Sequence, residues 1–153
     1  MAPKKETAPK TRRPSNQTQW AAQFAVASEL CRRGYEVSFT TGNNPCVDLM
    51  VSSPKHRQFS VDVKGLHKAN YWPVRKQAPR TKLFYVLAFV PTDAPCRFFV
   101  LTQQQVNRGI HQDFQETRSR KKKKGLRYPK NLFPAVGWKY AKNFEDAWTT
   151  LPE

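Results

Sequence analysis

Acidic side chains are scarce: 11 Asp and Glu stand against 27 Lys and Arg in 153 residues, a net charge of +16. Such a surplus repels itself unless a polyanion neutralises it, and nucleic acid is the commonest polyanion. Long apolar runs are missing. None approaches the ~20 residues that a membrane-spanning helix needs. The opening "MAPKKETAPKTRRPSN" lacks the apolar centre of a secretory signal and reads as a flexible basic tail over residues 1–16. Cysteine is rare as well. Cys31, Cys46 and Cys96 are odd in number and far apart, fitting neither a disulfide framework nor zinc-ligand spacing. A reducing, cytoplasmic setting is the default, with the cysteines acting as small apolar residues. There is no phosphate-cradling or dinucleotide-binding glycine pattern, and no Ser–His–Asp or Cys–His nucleophile set.

What is present is unevenly spread. Residues 1–16 hold five basic and one acidic side chain; residues 118–130, "RSRKKKKGLRYPK", hold eight basic and none acidic. The remaining 14 basic and 10 acidic residues nearly balance. A solvated, disordered tail would also tolerate such runs. With a pI near 10 for the whole chain, nucleic acid is the better reading. The length suits one globular domain, expected over residues 17–153.

The spacing predicts a helix in "NQTQWAAQFAVASELCRRGYEV". Trp20, Phe24, Ala27 and Cys31 recur at i, i+4, i+7 and i+11, with Leu30 widening the stripe. Asn16 or Thr18 would cap its start and Gly34 would end it. "YEVSF", "CVDLMV" and "FSVDVKG" read as short strands, the last two as a hairpin. Residues 66–82 form a long basic loop or irregular arm. "LFYVLAFV" is apolar throughout, as a strand buried on both faces would be. "RFFVL" follows as a strand, "TQQQVNRGI" as a helix from Thr102, and "NFEDAW" as a short helix capped by Asn143. The fold class is α/β (α+β), with one central sheet of about five strands flanked by helices.

Between Val37 and Thr92 the only acidic residues are Asp48 and Asp62. In "VDLMV", Val47, Leu49 and Val51 share one face and Asp48 points the other way. In "FSVDVK", Asp62 and Lys64 share a face, roughly 6–7 Å apart. If the strands pair, the two carboxylates converge. Two carboxylates with a backbone carbonyl and water make a hard oxygen site suited to Mg²⁺ or Mn²⁺. A lysine beside it can position a water and stabilise charge on a phosphate. Those are the parts of metal-assisted phosphodiester hydrolysis. A hairpin with a polar outer face accounts for any one such triplet, but the joint pattern is more specific.

That joint pattern, "QFAVASELCRRGYEV … CVDLMV … FSVDVKG", resembles the PD-(D/E)XK nuclease superfamily, with its restriction-endonuclease-like αβββαβ core. Within it the small Holliday-junction-resolvase-like members are the most similar. The resemblance covers about residues 17–65 and continues more weakly to about residue 101. It implies that Asp48 and Asp62 bind Mg²⁺ or Mn²⁺, that Lys64 is the motif lysine, and that the Val63 carbonyl is a further ligand. Val47 stands where the nominal Pro would be. The family's first helix carries a Glu at the place that falls here on Gln23. At about 100° per residue, Gln23 lies with the apolar stripe while Glu29 faces solvent. Gln23 would then support the site, or stand as a satisfied core glutamine.

The expected activity is a DNA endonuclease. A homodimer fits a resolvase-like enzyme that cuts two strands. The nucleic-acid contacts expected are Lys68, Trp72, Arg75, Lys76 and Arg80 in the arm, and Arg118, Arg120, Lys121, Lys122, Lys123, Lys124 and Arg127 in the basic segment. Trp72 folded onto the core is the competing reading of the arm. His67 is near the site in sequence but alone. A catalytically silent nucleic-acid-binding relative, a ribonuclease, and a structural basic protein are the rival functions.

Overall fold

In the computed structural model, residues 13–40 and 47–153 are described. The expectations for residues 1–12 and for Cys46 lie outside them. Helix α1 spans Ser15–Arg32 and starts directly after Pro14. Asn16 and Thr18 therefore lie inside it; Pro14 offers no capping side chain, and Asn16 Oδ1 accepts from Gln17 N–H at 2.9 Å. Arg13, two residues before it, donates to the Val90 carbonyl at 2.7 Å and the Thr92 hydroxyl at 2.9 Å. Gly34 ends α1 as expected, at φ +84°, a left-handed conformation that glycine adopts without Cβ strain. Tyr35 N–H bonds the Leu30 carbonyl and Gly34 N–H the Cys31 carbonyl, the paired bonds of a Schellman motif.

The chain then lays down β1 (Glu36–Phe39), β2 (Leu49–Ser52) and β3 (Gln58–Leu66) as an antiparallel meander. A short strand β4 (Tyr71–Pro73) precedes β5 (Leu83–Phe89) and β6 (Arg97–Thr102). The central sheet has the order β1-β2-β3-β5-β6, and β3 pairs parallel with β5. The expected mixed five-stranded sheet is present. The crossover from β3 to β5 holds β4 where the αβββαβ core has its second helix. That helix, α2 (Gln103–Lys123), instead follows β6. Its start is a capping box: the Thr102 hydroxyl accepts from Gln105 N–H and the Gln105 side chain accepts from Thr102 N–H.

Alternation along the strands divides the core in two. Leu49, Val51, Phe59, Val61 and Val63 meet α1 on one face. On the other face, Tyr85, Leu87, Phe99 and Leu101 meet Val106 and Ile110 of α2. β5 is buried on both sides because it contributes to both. On α1 the buried stripe is Ala22, Val26, Ala27 and Leu30, not Trp20, Phe24 and Cys31, which are exposed. Cys96 is exposed too, so neither described cysteine fills the core.

Two expectations about the later chain are corrected. Residues 66–82 are not a free loop. β4 pairs with β7 (Ala135–Gly137), and the buried amide of Gln103 grips Ala78 O and Arg80 N. "NFEDAW" is no helix but links two 3₁₀ turns, Lys142–Phe144 and Trp148–Thr150, after a short helix α3 (Trp138–Ala141). Asn143 caps nothing and donates to the Tyr140 carbonyl.

Gly65 sets how closely α1 approaches β3. A Cβ there would sit 2.8 Å from Ala22 Cβ and 2.9 Å from the Thr18 carbonyl. Gly65→Ala should therefore push helix and strand apart and lower stability by about 1–3 kcal/mol, read by urea unfolding.

Candidate active site

The site grows from a mismatch in strand length. The β2–β3 ladder ends at Leu49↔Val61, while β3 continues to Leu66. Val63 N–H, Val63 C=O and Gly65 N–H are left facing no strand on that side. Side chains take their place. Asp48 Oδ2 accepts from Val63 N at 2.7 Å. Gln19 Nε2 donates to Val63 O at 2.7 Å, and its Oε1 accepts from Gly65 N at 3.2 Å. Gln23, one turn along α1, donates from Nε2 to Asp48 Oδ1 at 2.7 Å.

The structure thus brings together Gln23, Asp48, Asp62 and Lys64. Asp62 is wholly buried, on the sheet face opposite α1. Lys64 Nζ lies 2.6 Å from Asp62 Oδ1 as an ion pair, outside hydrogen-bond geometry. No backbone N–H among the described residues donates to either Asp62 oxygen, so Lys64 is the cation that meets its charge. Burial raises its pKa from 3.8 to about 6; Lys64 works against that shift and the neighbouring Asp48 adds to it. Two neighbouring carboxylates, Asp62 buried and Asp48 accepting one hydrogen bond on each oxygen, suit a hard divalent cation. Among the described residues no group of three or more His, Cys, Asp or Glu gathers anywhere, so a cation here would have two carboxylates.

Gln19 was not anticipated. Its signal was the Gln19–Gln23 pair at i, i+4, two amides on one helix face. It also bears on Val63, whose carbonyl accepts from Gln19 and keeps a second lone pair. Glu29 pairs with Arg32 and Arg33, away from the site. His67 is half-buried and its Nδ1 has no partner.

The expected nucleic-acid contacts separate sharply. Trp72 is fully buried, stacked on Trp138 at 5.2 Å, with Nε1 donating to Ala88 O. It is a core residue, because β4–β7 pairing turns it inwards. Lys68, Arg75, Lys76 and Arg80 are exposed along the arm. Arg118, Arg120, Lys121, Lys122 and Lys123 ride the last turns of α2, which runs further than its sequence spacing suggested. Lys124 follows as its C-cap, and Arg127 is exposed beyond it.

No protein-family model matches the sequence, and no curated protein does. Among solved structures the chain is similar to a bacterial homing endonuclease, I-Ssp6803I. The TM-score is 0.54 with 13% identity, covering 91% of each chain. The likeness is one of fold: the mixed sheet and its flanking helices extend across nearly the whole chain. None of the helices among the described residues is long and apolar enough to cross a membrane.

The Asp62 environment has a measurable consequence. An acid whose pKa is raised by folding adds stability that is full below 3.8 and lost as pH rises through about 6. In chelator, Asp62→Asn should match wild type at low pH. Above pH 6 it should be more stable by on the order of 2 kcal/mol. Denaturant unfolding across that range reads the effect, and parallel curves would show that Asp62 carries no burial cost.

Proposed function

We propose that the chain is a divalent-cation-dependent nuclease of the PD-(D/E)XK type that hydrolyses phosphodiester bonds in DNA. The observation that carries this reading is Asp62: a fully buried carboxylate whose charge is met by Lys64 Nζ at 2.6 Å, beside a second carboxylate, Asp48. A fold like that of a homing endonuclease supports it. Asp48 and Asp62 would hold Mg²⁺ or Mn²⁺, with the Val63 carbonyl joining only by sharing its oxygen with Gln19. When bound, such a cation neutralises charge that builds on the phosphate during cleavage. Lys64 Nζ, anchored by Asp62, orients the attacking water and donates to a phosphate oxygen. Water oxygen would bond to phosphorus as one phosphorus–sugar oxygen bond breaks, the water giving up a proton to solvent and the departing sugar oxygen taking one from solvent. Gln23 holds the Asp48 carboxylate in place. The single domain offers its exposed arm cations and the basic end of α2 to the phosphate backbone.

One observation favours a second reading, a nucleic-acid-binding protein without catalysis. Asp48 is already satisfied by Gln23 and Val63, so this half of the site is complete as it stands. A cleavage assay separates the two. Wild type and Asp62→Ala are incubated with plasmid, single-stranded DNA, branched DNA and RNA, each in EDTA, Mg²⁺ or Mn²⁺. Cation-dependent cutting of DNA by wild type alone is expected. Cutting of RNA alone would make it a ribonuclease, and no cutting with equal binding would leave the binding protein.

Gln23→Glu tests the site without relying on turnover. It sets a third carboxylate against Asp48, so the variant should lose about 1–3 kcal/mol of stability in EDTA and regain it in Mg²⁺. A loss that Mg²⁺ does not reverse would mean that no cation binds there.

A further inference from the structure

Helix α1 carries a second feature beside the site. Trp20 and Phe24 are 54% and 59% exposed, and Phe39 at the end of β1 is 37% exposed. Their rings touch in a row: Trp20 and Phe24 stack at 5.7 Å, and Phe24 meets Phe39 at 5.2 Å. The rings are therefore held in place by one another before any ligand arrives. From Ser15 to Ser28 the helix carries no charged residue, and Glu29 beyond is tied to Arg32 and Arg33. Gln23, which holds Asp48, is the residue next to Phe24.

Size and charge decide what this surface fits. A buried aromatic side chain covers 150–250 Å², so three half-exposed ones offer roughly 300 Å². A stable dimer needs about 800 Å² from each partner. Two chains of +16 also repel each other. Flat rings of this extent, with no acidic side chain to repel phosphates, match the faces of nucleobases. We propose that Trp20, Phe24 and Phe39 form a stacking platform for unpaired bases, so that the substrate carries single-stranded character next to the cleaved bond. This rests on the nucleic-acid reading above.

Tryptophan fluorescence tests it on the full chain in EDTA, where nothing is cut. Trp72 and Trp148 are buried and Trp138 is half-buried on Trp72, which leaves Trp20 as the exposed reporter. A thymidine oligonucleotide should quench the emission, a blunt duplex should do so far less, and Trp20→Phe should abolish the change. Phe24→Ala and Trp20→Ala should each weaken single-strand binding on the order of tenfold, with unchanged circular dichroism and unchanged duplex binding. Equal single-strand affinity in wild type and both alanine variants would overturn the platform. So would sedimentation showing a dimer that Trp20→Ala dissociates. Quenching without cleavage in any metal would sink the nuclease reading and leave the platform standing. Cleavage without quenching would do the reverse.

Discussion

Strand β3 outlasts its neighbour, and the hydrogen bonds that close its open edge organise everything nearby. Backbone groups in a sheet must be paired, by strand, side chain or water. Where β2 stops at Leu49, Asp48 and Gln19 pair Val63 and Gly65 instead. These bonds fix the backbone on either side of Lys64 and tie α1 to the sheet at two points. Close approach at Gly65 makes the amides reach, since a Cβ there would collide with α1. One local deficit of pairing thus sets the helix height, the Asp48 carboxylate and the lysine in a single arrangement.

Against that well-paired frame, Asp62 stands out. Burying a carboxylate without donors is expensive, and proteins usually avoid it by pairing or protonation. Here the Lys64 contact offsets only part of the cost, and the pKa rises to about 6. A hydrophobic residue would suit a position beside Tyr85 and within the sheet better. Under the proposed function, a cation shared with Asp48 would offset the cost of burying this acid.

Much of the site could be read from the chain because strand alternation is strict. Once Val61 and Val63 are assigned to the core, Asp62 and Lys64 must share the opposite face, and the hairpin brings Asp48 alongside. Gln23 was reachable through the family resemblance, which places a helix Glu at that position, with helical geometry arguing only against Glu29. Trp72, Trp20 and Phe24 were misjudged for a common reason. Aromatic residues favour burial on average, but the partner element decides. Trp72 is turned inwards by β7, a strand more than sixty residues away that has only three residues and no periodicity to announce it. Trp20 and Phe24 follow helical spacing, yet α1 turns its smaller Ala22, Val26 and Ala27 to the sheet. Gln19 escaped because its partners are backbone atoms, so its spacing from Gln23 was the one mark it left in the sequence.

Charge and apolar surface are separated across the sheet. The basic end of α2 extends beyond Thr117, its last buried residue, so these cations are presented to solvent rather than used in packing. Helix α1, on the opposite face, is neutral for most of its length and shows rings instead. Phosphate contacts are strong but carry no information about the base, whereas stacking needs a base that is out of its pair. Under the proposed function, the cations on one helix and the aromatics on the other would meet two different parts of a nucleic acid. The Asp48–Asp62 pair lies where strands β2 and β3 meet, between these two helices.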